Sequence, residues 1–252
     1  MMKTAICYFS GTGNGFDVAN KLIKAIEADL FFMPHTQSVD LAGYGRIVIV
    51  SPIYSFGLPT PVKVFIALLS DFEAKEFHII LHYGGFSANA AHYTKAFFEA
   101  HGLSARSIHK MKMPENYTIV STVPPFIIRK MLKASGKKVH TIAQSIKSGK
   151  NKKVRKNLFS FCDKIHEKNA VKWPNFAQGF LINDRCTKCG YCESICSAKN
   201  ITMLAKKPEF HERCVSCLAC YHRCPSQAIN YGEKTMGRAR YQNPNVDFSK
   251  MK

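Results

Sequence analysis

The chain has 252 residues, 46% of them hydrophobic, and 36 Lys and Arg against 17 Asp and Glu give it a formal net charge of +19. This length supports a buried core and one or two domains, and the sequence has no uninterrupted apolar run long enough for a membrane span. The apolar opening at residues 4–9 is broken at once by Ser10-Gly11-Thr12-Gly13-Asn14-Gly15, so no signal peptide is expected.

Residues 4–9 read as a strand, and after the glycine turn Phe16, Ala19, Leu22, Ile23 and Ile26 recur at helical spacing. A phosphate suits that turn. Its glycines allow close approach, Ser10, Thr12 and Asn14 offer hydrogen bonds, and the following helix N-terminus supplies free amides. No Walker lysine occurs, and Gly11-x-Gly13-x-Gly15 departs from the dinucleotide fingerprint. Strands are predicted over 29–33, 46–51, 77–83 and about 105–111, with helices near 61–69 and 88–101. This alternation predicts an α/β fold, a five-stranded doubly wound parallel sheet whose ligands sit beyond the carboxyl ends of the strands. Those ends carry Ser10 to Gly15, then Ser51-Pro52-Ile53-Tyr54-Ser55-Phe56-Gly57, then His82-Tyr83-Gly84-Gly85-Phe86.

Residues 124–169 exceed what such a sheet needs. Val139, Ile142, Ala143 and Ile146 form one helical stripe and Val154, Leu158, Phe161 and Ile165 another, each with lysines opposite, as in helices that pack on the sheet or bridge two domains. Between Asn116 and Cys162 lie eleven basic residues and no acid: Arg129, Lys130, Lys133, Lys137, Lys138, Lys147, Lys150, Lys152, Lys153, Arg155 and Lys156. Such a field steers acidic partners, although the run from 147 to 156 reads first as a solvated surface.

Eight of the ten cysteines form two identical spacings, Cys186-x2-Cys189-x2-Cys192-x3-Cys196 and Cys214-x2-Cys217-x2-Cys220-x3-Cys224. The spacing predicts two [4Fe-4S] clusters with crossed ligands: Cys186, Cys189, Cys192 and Cys224 on one, Cys214, Cys217, Cys220 and Cys196 on the other. Zinc ribbons use separated cysteine pairs and disulfides demand no such spacing, so neither fits well. Arg185-Cys186 and Arg213-Cys214 open matching units that reach Ile201 and Ile229 at the same offset, which marks a duplication. Cys7 and Cys162 are expected to be buried thiols, and the clusters favour a reducing cytoplasm. Each oxidised cluster with its four thiolates carries a charge of about −2, which lowers the formal charge but leaves the protein basic.

Residues 176–231 resemble a bacterial-type two-cluster ferredoxin, which implies a small βαββαβ domain that depends on its clusters for stability. Cys224 is followed by Pro225 as in that family, whereas Cys196 is followed by Ser197. The Ser10 to Gly15 turn resembles the FMN phosphate loop of flavodoxins, although that loop normally ends in a hydroxyl residue where this chain has Gly15. The later loops resemble those that sandwich the isoalloxazine ring. The resemblance implies FMN bound by Ser10, Gly11, Thr12, Gly13, Asn14 and Gly15, by Pro52, Ile53, Tyr54, Ser55, Phe56 and Gly57, and by Tyr83, Gly84 and Gly85. Tyr54, Phe56 and Tyr83 are the expected ring contacts.

Nearly the whole chain is similar to the ferredoxin-flavodoxin fusion family, with an FMN domain over 1–172 and a two-cluster domain over 173–252. Two further segments look like recurring pieces of that family, 113–117 and 237–244; neither has an evident role, though Asn116 and Tyr117 are placed hypothetically near the flavin edge. The expected function is electron transfer between FMN, the clusters and external redox partners, acidic ones such as a ferredoxin, a flavodoxin or a reductase. An FMN-dependent reductase of a small substrate is the alternative, with His82, His92 and Tyr83 as candidate proton donors. A nucleic-acid-binding iron-sulfur protein, suggested by the pI of about 9.6, lacks any recognisable binding module.

Overall fold

The computed structural model describes residues 2–38, 41–69, 76–151, 154–155, 157–205 and 207–251. Strands β1 (Thr4–Tyr8), β2 (Asp29–Phe32), β3 (Arg46–Pro52), β4 (Glu76–Tyr83) and β5 (Ala105–Lys112) pair in parallel in the order β2-β1-β3-β4-β5. Both faces are covered, which is why β1 and β3 read as continuous apolar runs instead of alternating. Met33, predicted as the end of a strand, instead opens a short 3-10 helix that reaches Ser38.

Among the described residues five helices accompany the sheet: α1 (Asn14–Ile23), α2 (Thr60–Ala67), α3 (Ala90–Glu99), α4 (Pro125–Lys147) and α5 (Phe161–Ala170). Pro61 and Pro125 stand in the first turns of α2 and α4, where the missing amide proton leaves no hydrogen bond unmade. Helix α4 packs on α1 and β5 through Val139, Ile142, Ala143 and Ile146, the stripe read from the sequence, and through Leu132. Arg129, Lys130, Lys133, Lys137, Lys138 and Lys147 are exposed on it.

The second predicted stripe is corrected. Val154 and Leu158 precede α5, and Leu158 is 93% exposed. Asn157 holds this stretch in a turn, donating from Nδ2 to the Ala88 carbonyl and accepting at Oδ1 from the Phe159 amide. Lys152, Lys153 and Lys156 of the basic run lie outside the described residues.

The cysteine-rich segment is built from β6 (Phe180–Ile182), α6 (Tyr191–Ser194), β7 (Ile201–Leu204), β8 (Lys207–Phe210), α7 (Ala219–Arg223) and β9 (Ile229–Tyr231), the expected βαββαβ order. β6 pairs with β9 and β7 with β8, both antiparallel. Its own core is small, formed by Ala177, Phe180, Leu218, Tyr221 and Ile229. After β9 the chain runs back to the N-terminal sheet, where Val246 and Met251 pack against the main core. Cys7 and Cys162 are buried, as expected. Among the described residues no helix is long and apolar enough to cross a membrane.

Candidate cofactor sites

The glycine turn leaves β1 at its carboxyl end and wraps around Ser10, whose Oγ accepts hydrogen bonds from the amides of Gly13 and Gly15, each at 3.1 Å. Gly13 has φ +94°, a conformation that favours glycine. Gly15 is required by space, because a Cβ there would collide with the Phe9 carbonyl. The hydroxyl side chain usual at this position therefore has no room.

A crevice opens beside the turn, lined by Ser10, Gly11, Thr12 and Asn14, by Pro52, Ile53 and Tyr54, and by His82, Tyr83 and Gly84. The carboxyl ends of β1, β3 and β4 thus bring together most of the predicted loop residues. Pro114, Glu115 and Asn116 lie across it as a strap. Asn14 Nδ2 donates to the Pro114 carbonyl and Asn116 Nδ2 to Thr12 Oγ1, both at 2.9 Å. The Glu115 carboxylate accepts from the amides of Asn116 and Tyr117 and sits against Gly84, where an added Cβ would lie 2.5 Å from Oε2. About 30 Å³ of free space remains, enough for a water or two.

The donor set suits a phosphate-bearing ligand: a hydroxyl and amide turn at a helix N-terminus, and His82, buried with Nε2 lacking a hydrogen-bond partner. Burial holds His82 neutral by pushing its pKa down to about 3. The volume is what does not fit a flavin; the strap has to lift before a ring system can enter.

Not every predicted residue faces this crevice. Ser55, Phe56 and Gly57 form a turn closed by reciprocal Tyr54 and Gly57 backbone bonds, and they face α5. Asn169 Nδ2 donates to Ser55 Oγ at 2.6 Å, the His166 ring covers Gly57, and Phe56 meets Phe86 edge to face. Gly85 and His92 do not line the crevice, and Tyr117 lies outside it, beside Phe176. Tyr54 is packed edge-on against Phe9 and Trp173. Burial, and then the nearby Cys217 and Glu115 charges, push its phenol pKa well above the ordinary value.

The eight cysteines line two separate cavities. Cys186, Cys189, Cys192 and Cys224 surround one, and Cys196, Cys214, Cys217 and Cys220 the other, so the fourth cysteine of each motif has crossed to its mate. Left-handed backbone at Lys188, Gly190, Ser216 and Leu218 curls the two motifs around these cavities. Burial pushes the Cys192 and Cys214 thiols up to about 11 and the Cys217 thiol to about 12. Iron thiolate formation at these positions therefore releases protons.

The second set presses on the glycine turn. A Cβ on Gly11 would stand 2.5 Å from the Cys217 carbonyl and 3.2 Å from its Cβ, so the two backbones touch. The C-terminal tail locks this contact. Asn14 Oδ1 accepts from Tyr241 Oη at 2.6 Å and from Asn243 Nδ2 at 3.1 Å, while the Asn243 amide donates to the Thr12 carbonyl. His222 joins strap, segment and tail, with Nε2 donating to the Asn116 carbonyl and Nδ1 accepting from the Tyr241 amide. Arg240 stacks 3.6 Å from the centre of the Tyr221 ring and donates to the Ile229 carbonyl. The sequence reading missed His222 and left the tail without a role; the run of Arg, Tyr and Asn between 238 and 243 was the available signal.

Residues 185–229 match the 4Fe-4S dicluster domain family. The C-terminal segment is a ferredoxin-like domain. Its curated relative, an uncharacterized polyferredoxin-like protein of Methanocaldococcus jannaschii, is 43% identical over 49 residues, 19% of this chain and 21% of that protein. The chain thus spans about a fifth of the length of the curated relative it matches. For the domain that precedes the ferredoxin-like segment, the sheet order β2-β1-β3-β4-β5 is the flavodoxin-like one. Similar solved structures include a flavoprotein from Lactobacillus acidophilus in complex with FMN, 18% identical over 44% of this chain and 93% of its own, with a TM-score of 0.38. A two-electron reduced flavodoxin from Megasphaera elsdenii is 22% identical over 55% and 98%, with a TM-score of 0.40. A flavodoxin from the domain Archaea is 18% identical over 58% and 99%, also with a TM-score of 0.40. The chain joins a flavodoxin-like domain to a ferredoxin-like domain.

Proposed function

We propose that this chain is an electron carrier that holds two [4Fe-4S] clusters, one on Cys186, Cys189, Cys192 and Cys224 and one on Cys214, Cys217, Cys220 and Cys196, and that its flavodoxin-like loops take FMN. The observation that carries this reading is the contact between Gly11 and Cys217. It sets the second cysteine set directly against the loop expected to hold the flavin phosphate, and Tyr54 on the crevice wall feels the Cys217 and Cys214 charges. A flavin exchanges one or two electrons where each cluster passes one, so the pair matches two-electron donors to one-electron acceptors.

The chain's own part is positional. Ser10, Thr12, Asn14 and the turn amides receive the phosphate, His82 Nε2 gains an acceptor, and Tyr54 and Tyr83 bound the ring site. Entry requires Glu115 to leave Gly84 and Asn116 to release Thr12. Division of the chain at 172/173 separates the flavin domain from the cluster domain in sequence, while the tail ties the two together in space. The exposed basic face of α4, without an acid along its length, suits an acidic redox protein as partner.

Anaerobic reductive titration of the iron-reconstituted, FMN-loaded protein tests this. Uptake of about four reducing equivalents per chain, two by the flavin and one by each cluster, is expected, with magnetic coupling between reduced clusters. Uptake of about two without bound flavin would leave an iron-sulfur carrier and refute the flavin part.

A further inference from the structure

A further cavity lies on the other side of the glycine turn, between the β2 end of the sheet, the ferredoxin-like segment and the tail. It measures about 340 Å³, within the range of small-molecule sites and far larger than the strapped crevice. Cys196 and Cys217 form part of its wall, and no carboxylate among the described residues lines it.

Arg223 gives this cavity its chemistry. The side chain is 6% exposed, lies over the Phe248 ring at 4.5 Å and the Tyr191 ring at 5.4 Å, and donates from Nη2 to Tyr191 Oη at 2.7 Å. Its Nε is buried with no hydrogen-bond partner. A buried guanidinium normally finds a carboxylate or another acceptor. Among the described residues no acceptor, oxygen or sulfur, comes within hydrogen-bonding reach of Nε. Nη2 keeps a second proton beyond the one given to Tyr191, and the Phe248 ring holds the guanidinium at the cavity wall, where a charged donor can meet an oxyanion.

The rest of the wall agrees. Ser197, which stands where ferredoxins usually carry proline after the fourth cysteine, lines the cavity. Ser10 lines it too, and its Oγ accepts from two amides, which leaves the hydroxyl proton for a ligand. Phe32, Ile195, Phe248 and Met251 supply the apolar part of the wall. We propose that this cavity binds a small organic oxyanion, a carboxylate or phosphate on an apolar body, held by Arg223 beside the second cysteine set. The inference shares only Ser10 with the flavin reading; neither the strap nor the rest of the crevice takes part.

Calorimetric titration of the iron-reconstituted full chain with benzoate and with phenyl phosphate tests it. Saturable one-to-one binding of at least one probe is expected, weakened tenfold or more in Arg223→Met. Since that variant alters a residue next to Cys224, Ser249→Trp provides a second check by filling the cavity from the tail, and the same loss is expected there. Absence of saturable binding by both probes, or binding unchanged in Ser249→Trp, would overturn the proposal. A wild-type protein that binds neither probe, with Arg223→Met shifting only the cluster potential, would assign Arg223 to charge compensation instead.

Discussion

Tyr241 Oη donates to Asn14 Oδ1 at 2.6 Å across 227 residues of sequence, and Asn243 Nδ2 reaches the same oxygen at 3.1 Å. This buried pair of donors fixes the tail on the phosphate-type turn and, through His222, on the cluster domain.

Removing one donor should loosen that fixing measurably. Tyr241→Phe is expected to lower stability by about 0.5–1.5 kcal/mol, and Asn243→Ala by about 1–3 kcal/mol because Asn243 also reaches Asp17 Oδ2 at 3.3 Å. Urea denaturation of the reconstituted protein measures both. The double variant should lose less than the sum, since both donors share one acceptor.

Gly11 and Gly15 should tolerate no side chain, for different reasons. Gly11→Ala pushes on Cys217 and is expected to lower iron content at the second cysteine set, read by iron analysis and visible absorption. Gly15→Thr, which would restore the usual flavodoxin hydroxyl, drives its Cβ into the Phe9 carbonyl and should destabilise the fold by about 1–3 kcal/mol instead of tightening phosphate binding.

The crossing of the cysteine sets predicts an asymmetry between the two motifs. Cys196→Ser, although it lies in the first motif, should impair the cluster shared with Cys214, Cys217 and Cys220; Cys224→Ser should impair the other. Paramagnetic resonance of each partly reduced variant distinguishes the surviving cluster. A loss confined to the cluster of the variant's own motif would refute the crossing.

Lifting the strap should favour flavin. Asn116→Ala removes the bond to Thr12, and Glu115→Gln removes a carboxylate charge from beside Gly84. Fluorescence titration should show FMN bound severalfold more tightly in either variant, with the Glu115→Gln gain shrinking in salt. Affinity unchanged in both would mean that the strap does not control the crevice.

Acid should weaken the N-terminal domain. His82 ordinarily titrates near 6.5 and is held to about 3 when folded, so between those values the unfolded chain binds a proton that the folded chain refuses. Stability is therefore full above about 6.5 and falls with decreasing pH, by up to about 1.4 kcal/mol per unit from this residue. His78, buried and lowered in the same direction, adds to the slope, partly offset by Glu76 at 3.4 Å. Denaturation from pH 7 to pH 5 should give a shallower slope in His82→Gln than in the wild type.

Periodicity and spacing carried the parts of this fold that repeat. Apolar runs marked the five strands, the Val139 to Ile146 stripe marked the buried face of α4, and the two cysteine spacings foresaw the grouping around two cavities. Leu158 misled because an apolar residue at helical offset says nothing about Asn157, whose side chain closes a turn instead. The loop residues were legible as a group, but not which would turn aside: Ser55 and Gly57 face α5 because Asn169 and His166 meet them there, contacts more than 100 residues distant. The strap and tail had no periodic signature, since each acts through single side chains reaching single atoms.

The tail also has a consequence for the order in which the molecule is made. Residues 238–243 are synthesised after every group they grip, among them Asn14, Thr12, His222 and Tyr221. During synthesis the glycine turn therefore stays uncovered, and contacts of such long sequence separation close late in folding. A cofactor loaded onto the turn has its widest access before the cysteine motifs are filled and residues 238–243 close over it, and release afterwards requires undoing those contacts.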